Sequence, residues 1–167
     1  MKEIDNIYPD DKTECYELIH KQLISLLKGE SFVSANLSNT SALLNGALKD
    51  INWVGFYLMH EGELLLGPFQ GKTACVHISV GRGVCGTAVK ENKTQLVKDV
   101  HEFPGHIACD SASRSEIVIP ISVNNEILGV LDIDSPTEGR FDETDQKGLE
   151  EVVRILEISC NWSVKTL

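Results

Sequence analysis

Residues 116–136 read EIVIPISVNNEILGVLDIDSP. Two Ile/Val-rich runs flank Asn124-Asn125, a pair that tolerates positive φ, so the stretch predicts an antiparallel hairpin. Register decides what its faces carry. A two-residue loop at Asn124-Asn125 pairs Glu116 with Ile133 and Ile117 with Asp132, setting charge against hydrocarbon. A three-residue loop from Asn124 to Glu126, with Asn125 left-handed, puts Ile117, Ile119, Ile121 and Val123 on one face with Ile127, Leu131 and Ile133. The other face then carries Glu116 opposite Asp134, with Asp132 two residues along. Patterning selects this second register, and Pro120 is compatible with an added bulge. It crowds three carboxyl groups at one end of one sheet face.

Elements on either side extend the same architecture. NWVGFYLMHEGELLLGPFQ (residues 52–70) alternates short apolar runs around Glu61-Gly62, a second hairpin signal. ACVHISV (74–80) and TQLVKDV (94–100) read as further strands, with GVCGTAVKEN (83–92) as a short helix between them. HEFPGHIACDSAS (101–113) is a loop rich in breakers. Asp11 to Leu27 predicts a helix with Leu18, Leu23, Leu26 and Leu27 at helical spacing and Gly29 as its stop. Another helix is expected over Ser34–Leu48. The chain closes on a helix opened by Asp142 or Thr144, with the stripe Leu149, Val152, Val153 and Leu156. Helices at both ends and antiparallel hairpins between them define an α+β domain with a central sheet. No repeat, linker or low-complexity segment divides residues 1–167, so one domain is expected.

Composition limits the function classes. A net charge of −10 argues against nucleic-acid binding, which favours basic patches. The N-terminal MKEIDNIYPDDK lacks an apolar signal core, and no stretch approaches membrane-spanning length. A cytoplasmic location is expected, where thiols are kept reduced and disulfides tend to be transient and catalytic. The odd count of 5 cysteines also disfavours a purely structural disulfide framework.

Cys75, Cys85 and Cys109 lie in a Gly/Pro-punctuated central stretch, each flanked by loop-forming residues. They read either as scattered, independent cysteines or as thiols that folding brings together to exchange electrons. Crowded carboxylates raise one another's pKa, so Glu116, Asp132 or Asp134 can stay protonated and act as an acid. Trp53 opens the first hairpin strand, either as core packing or as an aromatic wall for an apolar or sulfur-bearing ligand. Gly81-Arg82-Gly83-Val84-Cys85-Gly86 matches GxGxxG, but the helix is short and no βαβ units surround it, so a tight turn is the plainer reading. A zinc site drawing on these cysteines with His77, His101 or His106 lacks the closely spaced ligand pairs that structural zinc uses. Those histidines read as solvent-facing or loop polar groups, and Cys15 and Cys160 as small hydrophobes on the terminal helices.

GPFQGKTACVHISVGRGVCGTAV, DVHEFPGHIACDSASRSEIVIPI and GVLDIDSPTEGRFDETD together resemble the free methionine-(R)-sulfoxide reductases, a catalytic branch of the GAF-domain fold. The resemblance runs from Trp53 to Asp145 and includes three cysteine positions that many GAF domains lack. It implies a GAF-type fold: a central antiparallel sheet of about six strands with the N- and C-terminal helices packed on one face, commonly dimeric. It also implies free L-methionine-(R)-sulfoxide as substrate, no cofactor, no metal and thioredoxin as reductant. By motif, Cys109 in GHIACD is the nucleophile, Cys75 in GKTACV resolves it, and Cys85 in GRGVCG is a third thiol, an alternative or relay partner. Glu116, Asp132 and Asp134 resemble carboxylates that hold substrate and handle protons, with Glu116 and Asp134 expected nearest the sulfoxide. Trp53 resembles the residue that contacts the substrate methyl group. Two other functions fit a chain of this type: a noncatalytic GAF module that binds a small ligand, and a thiol redox sensor whose disulfide alters a partner contact.

Overall fold

The computed structural model describes residues 7–105 and 111–163. A six-stranded sheet lies at its centre, in the order β3-β2-β1-β6-β5-β4, with every neighbouring pair antiparallel. The strands are β1 (Trp53–His60), β2 (Glu63–Gly71), β3 (His77–Ser79), β4 (Gln95–Val97), β5 (Ser115–Val123) and β6 (Glu126–Ser135). The helices are α1 (Lys12–Leu27), α2 (Val33–Ala47), α3 (Gly83–Glu91) and α4 (Glu143–Ser159). This is the expected α+β architecture.

Strand periodicity sends alternate side chains to two separate cores. Val54, Phe56, Leu58, Ile117, Ile119, Ile121, Leu131 and Ile133 meet α1, α2 and α4 on one face. Trp53, Tyr57, Val118 and Val130 face the other way and pack with Val84, Cys85, Ala88 and Val89 of α3. The terminal helices thus build a stable backing, and the opposite face is left for α3 and the loops.

Local chemistry explains the helix ends. Asp11 caps α1 by accepting from Glu14 N, and Gly29 follows at φ 82°. Asp142 caps α4 within a reciprocal capping box completed by Asp145. The expected stripe on α4 is buried as a whole. On α1 the stripe differs from expectation. Cys15, Ile19, Leu23 and Leu27 form the buried row at four-residue spacing, while Leu18 is only half-buried and Leu26 is exposed. Gly148 of α4 seats the ring of Tyr16, whose Cγ would lie 2.3 Å from any Cβ there, and that close approach fixes the row facing inward.

The decisive hairpin has the expected pairing, Glu116 with Asp134 and Ile117 with Ile133, produced by a different turn. Val123 pairs with Glu126 across a two-residue turn in which Asn124 and Asn125 both have positive φ, 54° and 64°. A bulge between Ile121 and Ser122 then absorbs Leu128 and restores the register downstream. One consequence is a correction: Ile127 packs into the core on the α3 side, and Leu128 takes its place on the helix-backed side. The first hairpin turns as expected at Glu61-Gly62, with φ 48° and 89°. The strand expected over 74–80 shrinks to His77–Ser79, because Tyr57 Oη donates to the Cys75 carbonyl at 2.9 Å and holds that segment over the sheet face.

Candidate active site

β1, β5 and β6 each contribute from the same end of the α3-side face. Trp53 pairs with Asp134, and Asp134 with Glu116, so one row across three strands carries an indole and two carboxyls. Asp132 follows two residues along β6 on the same face. Gly55 lies between Trp53 and Tyr57 on β1 for a steric reason. A Cβ there would come within 2.3 Å of Phe69 Cβ and 2.7 Å of Trp53 Cη2. Without it, the Trp53 ring stacks on Phe69 at 5.3 Å and on Tyr57 at 5.9 Å, and its Nε1 donates to Lys72 O at 3.1 Å.

α3 supplies the remaining wall. Gly81 and Gly83 take positive φ, and Gly86 packs so closely under Ser79 that a Cβ would sit 2.4 Å from its carbonyl oxygen. The GxGxxG run is therefore a turn that drives Cys85 against the sheet. The antiparallel strands around it give no dinucleotide crevice.

The cavity so formed has a volume of about 50 Å³ and is lined by Trp53, Tyr57, Cys85, Glu116, Asp132 and Asp134, with Lys72–Ala74, Ile78, Arg82, Gly83 and Ser113 completing it. Glu116, Asp132 and Cys85 are buried, and Cys85 Sγ stands 4.0 Å from Glu116 Oε1. Burial first, then the negative charges of Asp132 and Asp134, pushes the Glu116 carboxyl well above the usual carboxylate range. Burial also pushes Asp132 up to about 7, although hydrogen bonds from Cys85 and Glu116 partly restrain the rise. Burial and the same two carboxyls raise the Cys85 thiol, and burial and Asp132 raise the Tyr57 hydroxyl. Burial therefore biases this adjoining carboxyl pair toward holding a proton. That pair can donate a proton and retain a cation.

Most of the expected site residues converge here: Trp53, Cys85, Glu116, Asp132 and Asp134 line one cavity. Cys75 adjoins it, follows the lining residue Ala74, and is disulfide-bonded, whereas Cys15, Cys85 and Cys160 are free. Cys109 and His106 lie outside the described residues. His77 stands away from the pocket, paired with Glu63 at 2.7 Å on the sheet edge, and His101 pairs with Asp99 at 2.9 Å. Tyr57 was not anticipated. Counting alternate residues along β1 from Trp53 through Gly55 leads to it, and that was the available signal.

Comparison with known proteins identifies the fold and the family. Residues 40–159 match the model of the GAF domain. The free methionine-R-sulfoxide reductase of Escherichia coli strain K12 is 57% identical over 147 residues, 88% of this chain and 89% of that protein. A free methionine-R-sulfoxide reductase from Neisseria meningitidis, solved in complex with its substrate, is 46% identical, with a TM-score of 0.88 over 90% of this chain and 91% of that one. The reduced form of fRMsr from Staphylococcus aureus is 57% identical, with a TM-score of 0.86 over 87% and 95% of the two chains. This chain belongs to the GAF-domain family and, within it, to the free methionine-R-sulfoxide reductases.

Proposed function

We propose that this protein reduces free L-methionine-(R)-sulfoxide to methionine, with Cys109 as nucleophile and Cys75 as the resolving thiol. The observation that carries the reading is the convergence of a neutral, buried Glu116 with Asp132, Asp134 and Trp53 in one cavity beside a disulfide-bonded Cys75.

A sulfoxide oxygen is a poor leaving group until it is protonated. The Cys109 thiolate attacks the sulfoxide sulfur while Glu116 delivers its proton to the oxygen. The protonated oxygen then passes from the substrate sulfur to the Cys109 sulfur: the substrate S–O bond and the transient bond between the two sulfurs break, a Cys109 S–OH bond forms, and methionine departs, leaving Cys109 as the sulfenic acid. Cys75 then attacks Cys109 sulfur, water is released, and a Cys75–Cys109 disulfide forms. A dithiol such as thioredoxin reopens it by exchange and is itself oxidised. Asp132 and Asp134 supply negative charge for the substrate ammonium and for reprotonating Glu116. The Trp53 indole, held by its contacts with Phe69 and Tyr57, accepts the S-methyl group.

Cys85 has a different role in this reading. Its thiol is buried, free and raised in pKa, which suits packing and hydrogen bonding to the carboxyl pair better than nucleophilic attack. A cytoplasmic single-domain homodimer recycled by thioredoxin completes the proposal; no helix among the described residues is long and apolar enough to cross a membrane. Peptide mapping after one turnover tests the thiol assignment. A Cys75–Cys109 linked peptide is expected, and a Cys85–Cys109 link would reassign the resolving role.

A further inference from the structure

The floor of the cavity brings a thiol that the proposed reaction does not use into ligand range of two carboxyls that it does. One ligand atom each from Cys85, Glu116 and Asp132 lies within 4.8 Å of the other two. The three residues are only 4%, 6% and 6% exposed, on three different elements: α3, β5 and β6. The contacts of Asp132 with Cys85 and Glu116 leave its buried Oδ1 without a hydrogen-bond partner, one acceptor open on the cavity wall. We propose that Cys85, Glu116 and Asp132 bind a borderline-soft divalent cation, Zn2+ or its analogue Cd2+, at this point.

Ligand chemistry sets the choice of ion. One thiolate and two carboxylates suit zinc-like ions and disfavour Mg2+ and Ca2+, which take oxygen donors alone. Tetrahedral zinc with S at about 2.3 Å and O at about 2.1 Å places sulfur about 3.6 Å from oxygen. Cys85 Sγ and Glu116 Oε1 stand 4.0 Å apart, so a closure of a few tenths of an ångström completes the set. The ion displaces the protons held by the three groups, and its charge offsets two of their three negative charges. Three protein ligands leave a fourth position facing the cavity, where a water fits.

A cation held here takes the acid oxygen of Glu116 out of use and occupies the ground where the substrate would sit. This consequence, competitive inhibition by zinc, rests on the proposed reductase function; the cation site itself does not.

The test uses the full chain in its oxidised form, so that Cys75 is already bridged, with Cys15→Ala and Cys160→Ala removing the other free thiols. Cd2+ titration should develop the ultraviolet sulfur-to-cadmium charge-transfer band and saturate at one equivalent. Cys85→Ala should abolish the band, and the near-isosteric Asp132→Asn should weaken binding by at least about tenfold, an effect at least as large as that of losing a supporting metal contact, with both variants checked for cooperative melting. No band, or a band indifferent to both substitutions in folded protein, overturns the site. If the band forms but the chain fails to turn over sulfoxide, the reductase reading fails alone. In a chain active with thioredoxin, Zn2+ should raise KM at constant kcat; kinetics indifferent to Zn2+ overturn the inhibitory role.

Discussion

Glu116 lies directly across the β5–β6 ladder from Asp134, yet the carboxyl it hydrogen-bonds is Asp132, two residues further along the same strand. Cross-strand pairing brings the charges together, and the buried diagonal pair of Glu116 and Asp132 stands above the usual carboxylate range at both members. Burial is the largest cause for both members, so the arrangement is a property of the fold and precedes any ligand.

If Glu116 is the proton donor, Glu116→Gln keeps the shape and a hydrogen-bond donor but removes the transferable proton. Turnover should drop by about 10²–10⁴-fold, the usual worth of a positioned general acid. KM should change much less. Steady-state kinetics on the two proteins separate the effects, and an unchanged kcat would exclude Glu116 as the acid.

Cys75→Ser should still yield methionine in a single turnover, because the first step consumes only the Cys109 thiolate. The sulfenic acid should then persist, trapped by dimedone, and thioredoxin-driven cycling should collapse. Cys85→Ser should retain disulfide formation. Intact-mass analysis after one equivalent of sulfoxide distinguishes the two variants.

How much of this was legible in the sequence depends on which force set each feature. The two-sided hairpin was legible, because Ile117, Ile119, Ile121, Leu131 and Ile133 alternate with a face that includes Glu116, Asp132 and Asp134, over strands of nine and ten residues. The turn beneath it was not: a two-residue turn plus a bulge at Leu128 gives the same downstream register as a three-residue loop. On α1 the expected Leu23 and Leu27 are buried, but Leu18 and Leu26 match helical spacing as well as Cys15 and Ile19 do; packing of Tyr16 on Gly148 decides between them. Tyr57 stayed hidden because it reads as one more apolar strand residue. Its place in the site follows from the stacking that Gly55 permits, a tertiary effect.

Trp53→Ala should remove the flat wall of the pocket and the contacts with Phe69 and Tyr57. KM should rise roughly tenfold or more for lost apolar contact with the S-methyl group. Truncating a large buried aromatic side chain should also cost about 3–5 kcal/mol of stability. Trp53→Phe should recover most of both. A KM unaffected by either change would place the substrate elsewhere.

Stability should depend on pH through Asp132. Its folded pKa of about 7 stands above the ordinary carboxylate value of about 3.9 expected in the unfolded chain. The native state thus binds the proton more tightly, and this contribution is fully present below the unfolded pKa and is lost as pH rises through about 7. Denaturant unfolding from pH 4 to 8 should show ΔG falling as the pH rises through about 7, and Asp132→Asn should flatten the slope. A wild-type profile that rises over this interval, with Asp132→Asn unchanged from it, would show that the carboxyl titrates normally.

The most direct measurement offers the protein, with thioredoxin as reductant, three substrates in parallel: free methionine-(R)-sulfoxide, its S epimer and a peptide-bound sulfoxide. Methionine should form from the free R epimer alone. Equal turnover of both epimers, or a preference for the peptide, would contradict a pocket built to hold the ammonium of a free amino acid while Glu116 protonates one face of the sulfoxide.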